Sequence, residues 1–85
     1  MTYPAILILG RDTCEDTTAS REHLTARGIP FTYRRVDEDP EADAWVRSLN
    51  EGSWVTPTIL IGDPASPDRI LREPSDEELD DALGA

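Results

Sequence analysis

Ile6-Leu7-Ile8-Leu9-Gly10-Arg11-Asp12-Thr13-Cys14-Glu15-Asp16-Thr17 passes from an apolar run, through a short polar loop, to the chain's only thiol. The continuous apolar stretch from Ala5 to Leu9 predicts a central strand covered on both faces. Asp12 or Thr13 is placed to cap a helix running to about Arg27, where Gly28 and Pro30 supply the stop. The best apolar members of that helix are Leu24, Ala19 and Ala26, a weak inner face. Cys14 therefore stands at a helix start. Unpaired N–H groups and the positive end of the helix dipole favour a thiolate there, and the thiolate is the nucleophilic form of cysteine.

Further along, Phe31 to Val36 alternates as a second strand. Asp39 as N-cap, with Pro40 at the first helical position, opens a second helix. Its stripe is Ala42, Trp45, Val46 and Leu49, and Asn50-Glu51-Gly52 ends it. Thr58 to Ile61 is a third strand, begun directly after Pro57, where no ladder N–H is required. Gly62 to Pro67 reads as a loop and Arg69 to Arg72 as a short fourth strand. Ser75 and Glu78 form a capping box for a last helix carrying Leu79, Ala82 and Leu83.

The expected order is thus β-α-β-α-β-β-α. The first βαβ unit should be parallel and right-handed, and the last two strands an antiparallel hairpin. The first and third helices should cover one face of the sheet and the second helix the other. Substrate should meet the thiol beyond the carboxyl end of the first strand.

Eighty-five residues, with 38% hydrophobic content, are read as one domain spanning 1–85. Net charge is −10, with eight arginines and no lysine, which argues against binding a phosphate backbone. No apolar run reaches the length of a membrane span, and no signal-peptide pattern opens the chain. A lone cysteine excludes an internal disulfide and suits a reducing compartment, so the expected location is the cytoplasm. One cysteine and one histidine cannot make a four-ligand zinc site, and no metal is expected.

Around the thiol, the helix N-terminus favours an anion by about 0.3–1 kcal/mol. Glu15 and Asp16 oppose it by a comparable total at about 6–8 Å. Arg11, three residues upstream, can tip the balance back, and the Thr17 hydroxyl is placed to donate to the sulfur. His23 is not a base for Cys14, since an ideal helix carries it ~13 Å away and on the opposite side. It is read as a surface or core histidine. Trp45 is read as core, and Trp54, before Pro57, as a candidate lining of the substrate groove.

The element order, Thr13-Cys14-Glu15-Asp16-Thr17 and Thr56-Pro57-Thr58 resemble the glutaredoxin branch of the thioredoxin superfamily. So do Val36-Asp37-Glu38-Asp39-Pro40-Glu41-Ala42, Trp45 to Gly52 and Pro74-Ser75-Asp76-Glu77-Glu78-Leu79. Within that branch the chain is most similar to mycoredoxins and the glutaredoxin-like electron donors of ribonucleotide reductase. The resemblance implies an α/β thioredoxin-like fold, a four-stranded mixed sheet flanked by three helices. It implies that Cys14 attacks mixed disulfides, and that Pro57 is cis and sets the Thr56 backbone beside the sulfur. Val55, Thr56 and Pro57 would then hold an extended thiol substrate. Ser75 and Asp76 would meet the polar end of a small thiol, Asp76 taking an amino group and the helix N-terminus a carboxylate.

Four positions depart from the family pattern. Thr17 replaces the second cysteine, Glu15 and Asp16 replace the intervening aromatic, Thr56 replaces valine before the proline, and Glu73-Pro74 replaces a Gly-Gly turn. With one thiol, the leading expectation is a monothiol oxidoreductase working on mixed disulfides between proteins and a low-molecular-weight thiol. Glutathione, mycothiol or bacillithiol would be co-substrate, with no tightly bound cofactor. Expected partners are thiolated or disulfide-containing proteins, with no nucleic acid and no membrane, and the expected state is a monomer. A non-catalytic adaptor on the same scaffold is the alternative reading. An iron–sulfur cluster bridged between two chains is a third.

Overall fold

A computed structural model describes residues 3–84 of the chain. The elements are β1 (Ile6–Gly10), α1 (Glu15–Ala26), β2 (Thr32–Arg35), α2 (Pro40–Leu49), β3 (Thr58–Asp63), β4 (Ser66–Arg72) and α3 (Asp76–Leu83). They form one four-stranded sheet ordered β2-β1-β3-β4. β1 pairs parallel with β2 and antiparallel with β3, and β3 pairs antiparallel with β4. This is the mixed α/β architecture expected from the sequence.

The apolar run of β1 splits by parity, as alternation of side chains along a strand requires. Ile6 and Ile8 join Leu24 of α1 and Leu79 of α3 in one core, together with Ile29, Ile59 and Ile61. Leu7 and Leu9 join Val36, Leu60 and the Ala42 and Val46 of α2 in the other. Each fully buried aliphatic side chain contributes about 1.5–3 kcal/mol, so these two layers fix which face each helix covers.

The inner face of α1 differs from expectation. Ala19 and Ala26 are exposed, and the buried residues are Thr17, Ser20 and Leu24. Two of the three are small and polar, which lets the N-terminal half of the helix approach the sheet closely. A Cβ added at Gly10 would lie 2.6 Å from both Cγ2 and Oγ1 of Thr17, so the helix start rests directly on the strand end.

β4 is also longer than the sequence suggested. Asp63 pairs with Ser66, and the connection is the tight turn through Pro64 and Ala65 rather than a loop from Gly62 to Pro67. The Asp63 side chain accepts from the Ala65 N–H at 3.0 Å, a local turn device of aspartate. Pro67 is tolerated because β4 is an edge strand. The pairing slips between Ile61 and Gly62, where Gly62 adopts φ 101.

Candidate functional site

The antiparallel register sets Leu9 opposite Thr58, so the segment before β3 arrives beside the carboxyl end of β1. The loop from Arg11 to Cys14 leaves from that same end. Cys14 is itself the N-cap of α1, in extended conformation and without a side-chain cap bond. The expected caps are corrected: neither Asp12 nor Thr13 closes the helix. The Cys14 sulfur is partly exposed and donates to the Thr56 carbonyl oxygen at 3.3 Å. The Thr56–Pro57 peptide bond is cis, and both residues are buried.

Burial pushes the Cys14 thiol up, but hydrogen bonds to the sulfur outweigh it and hold the thiol below its ordinary value. For the ionised sulfur the donors are the Thr56 and Thr17 side chains and the Thr17 and Asp16 backbone. Donors rather than formal charges set this direction. The hydroxyl of Thr17 is fully buried and satisfied by no other group while the sulfur is protonated. Ionisation turns the sulfur into a full acceptor, so that hydroxyl gains its partner only in the thiolate state.

Thr17→Val tests this arrangement. The substitution removes an unsatisfied buried hydroxyl, so stability at neutral pH should hold or rise by up to about 1 kcal/mol. The Cys14 titration, followed by ultraviolet thiolate absorbance, should move upward, with the thiolate fraction at neutral pH falling roughly 3–10-fold. A thiol ionising below its unfolded value adds stability above that value, ~8.5, and loses it as pH falls through the folded value. The variant should lose part of that alkaline gain.

Arg11 packs against an aromatic ring. Its guanidinium lies 5.7 Å from the centroid of the Trp54 ring, with Arg47 at 5.3 Å from the same ring. The Trp54 indole N–H donates to Asp43 at 2.6 Å, and Arg47 bonds the same carboxylate at 2.8 Å. Trp54 therefore anchors the segment before Pro57 to α2 and carries Arg11 against it.

The loop holding Pro57 is braced from behind by residues that mark only element ends in the sequence. Thr58 donates to the Val55 carbonyl at 2.6 Å, and the Asn50 amide donates to Thr58 at 3.1 Å and to the Val46 carbonyl at 2.8 Å. Arg72 of β4 completes the chain by donating to the Asn50 side-chain oxygen at 2.7 Å. On the other side, the Glu73 N–H donates to the Pro57 carbonyl at 2.9 Å. Glu73 has φ 48, the left-handed region that glycine favours, so a non-glycine residue holds this turn. Ser75, two residues on, caps α3 with the reciprocal Glu78 bonds expected of the box. Asp76 opens α3 with an exposed carboxylate.

Asp12 ties down the front of the thiol loop. It accepts from the Tyr33 hydroxyl at 2.8 Å and from Arg35 at 3.3 Å, and lies 3.7 Å from Arg21. The Tyr33 hydrogen bond, followed by Arg35 and Arg21, holds this carboxyl below the usual range against the opposing effect of burial. The available signal was Tyr33 and Arg35 at alternate positions of one strand, facing the same side. A cavity of about 510 Å³ lies at the other end of β1, lined by Tyr3, Ala5, Phe31 and Trp45. It has no part in the thiol site.

A mixed sheet of this order, with a thiol at the start of α1 facing a cis-proline, defines the thioredoxin-like class. The chain belongs to the glutaredoxin family: the sequence profile described as Glutaredoxin matches residues 6–64. Two solved structures are similar in fold. The glutaredoxin grx-1 of Archaeoglobus fulgidus is 21% identical with a TM-score of 0.71, over 92% of this chain and 84% of that one. The glutaredoxin of Methanosarcina mazei Go1 is 24% identical with a TM-score of 0.72, over 100% of this chain and 85% of that one. No curated protein matches the sequence. Family membership supports a thiol-redox role, with a small thiol as co-substrate and no tightly bound cofactor. No helix among the described residues is long and apolar enough to cross a membrane.

Proposed function

We propose that the chain is a monothiol glutaredoxin that reduces mixed disulfides between proteins and a low-molecular-weight thiol. The reading rests above all on Cys14: a partly exposed sulfur, facing Thr56 and held below its ordinary pKa by surrounding donors. In the first step the Cys14 thiolate attacks the small-thiol sulfur of the mixed disulfide. The Cys14–small thiol bond forms, the old disulfide breaks, and the protein sulfur leaves as a thiolate that takes up a proton. In the second step a thiolate of free small thiol attacks that adduct. Cys14 is released as thiolate, and the two small thiols leave joined as a disulfide, carrying away the oxidising equivalents.

Thr17 occupies the place of a resolving cysteine, so the adduct has no internal exit and waits for the second small thiol. Thr17 acts instead as a hydroxyl donor to the thiolate, with Thr56 as its counterpart across the site. Val55, Thr56 and Pro57 hold the extended thiol, Ser75 and Asp76 receive its carboxylate and amino groups, and Arg11 attracts it from the loop. A reducing cytoplasm, where small thiol is abundant, suits this cycle.

A peptide carrying glutathione in mixed disulfide tests the order of events by mass spectrometry. Glutathione should appear on Cys14 while the peptide leaves as a free thiol, and added glutathione should clear the adduct. The same peptide linked to mycothiol or to bacillithiol is run in parallel, and peptide retained on Cys14, or no adduct from any of the three, overturns the proposal.

A further inference from the structure

His23 lies in the seam between α1 and α3, its side chain only 16% exposed. Its Nε2 is 2.8 Å from the Asp80 carboxylate, and its Nδ1 is 3.5 Å from the carboxylate of Asp76. Asp80 has a second cation, the Arg27 guanidinium at 3.2 Å. Among the described residues, the charged groups facing the ring are Asp76 and Asp80 of α3, with Arg27 of α1 reaching it through Asp80.

These distances give the two ring nitrogens different jobs. A nitrogen 2.8 Å from a carboxylate oxygen carries a hydrogen, because two acceptors at that separation would repel. The neutral ring therefore keeps its Nε2–H on Asp80 and turns the lone pair of Nδ1 toward Asp76. Protonation puts an N–H on Nδ1, facing Asp76, and makes the ring a cation. Asp80 is already served by Arg27 and by Nε2 in both states. Only the partnership of Asp76 changes.

We infer that His23 is a positioning residue for Asp76: the neutral ring leaves that carboxylate open to the amino group of the small thiol, and the protonated ring competes for it. The inference rests on the reading of Asp76 as the amino-binding residue. It makes affinity for an amino-bearing thiol fall with pH through a residue remote from the sulfur. The reaction steps at Cys14 are untouched, so the effect belongs to KM and not to kcat.

The experiment compares steady-state turnover of a glutathionylated peptide at about pH 8 and about pH 6, the interval across which histidine commonly changes charge. The wild-type KM should rise about 3-fold on acidification, the scale of an exposed ion pair. His23→Gln, which keeps a donor for Asp80 but does not titrate, should show a flat KM and the wild-type pH trend in kcat. A peptide mixed disulfide with des-amino glutathione, tested on the wild-type protein alone, should also show a flat KM. The inference is overturned if His23→Gln keeps the rise or if the des-amino substrate shows it too. Asp76→Asn separates the two levels: an unchanged KM for glutathionylated peptide at about pH 8 overturns the reading of Asp76 itself.

Discussion

Cys14→Ser is expected to abolish mixed-disulfide turnover completely while leaving the fold in place. The exchange swaps one atom at a partly exposed position, and a serine hydroxyl can keep the donation to the Thr56 carbonyl. Unfolding free energy should therefore stay within about 0.5 kcal/mol of the wild-type value. Reactivity has no such fallback. The donors around the sulfur favour a thiolate by holding an already acidic group lower, and a serine hydroxyl is too weak an acid for them to ionise. No second cysteine exists to take over, because Thr17 stands where a partner thiol would be. The checks are turnover of a glutathionylated peptide and a thermal melt on the same preparation. Turnover above the buffer background in the variant would mean that the reaction does not run through this sulfur.

How far the sequence exposed this site depends on the range of each interaction. The strand-loop-thiol order and the Ala42, Val46 stripe of α2 are local patterns, and the structure holds them where periodicity put them. The capping box at Ser75 is equally local and equally legible. What escaped were contacts between distant segments. Asp12 reads as a helix cap from its neighbours alone, yet its partners are Tyr33 and Arg35, more than twenty residues on. Arg11 reads as the cation nearest Cys14 in sequence, and it lies against Trp54. His23 reads as uncommitted, and its partners belong to the last helix. The inner face of α1 departs from its hydrophobicity for a related reason. Hydrophobicity picks out Ala19 and Ala26, whereas close approach to a glycine selects Thr17 and Ser20.

That close approach yields the other large expectation. Gly10→Ala should destabilise the protein by about 1–3 kcal/mol, the usual cost of overpacking a fitted interior. The new Cβ would meet Cγ2 and Oγ1 of Thr17 at 2.6 Å and its Cβ at 3.2 Å, so the side chain has no rotamer that clears it. Relief requires α1 to lift from β1, and the first residue carried with it is Cys14, the N-cap. Its 3.3 Å contact with Thr56 would lengthen, and turnover should fall together with stability, since small displacements of a reacting group are costly. Thr17→Ala alone should cost about 1 kcal/mol for the lost packing. In the double variant the two nearest obstructing atoms are gone, so the combined loss should be smaller than the sum of the single losses by about 1–2 kcal/mol. Denaturant unfolding of the four proteins measures that coupling directly. Strictly additive losses would show that Gly10 is needed for something other than seating Thr17, and the account of how the strand end positions the thiol would fail with it.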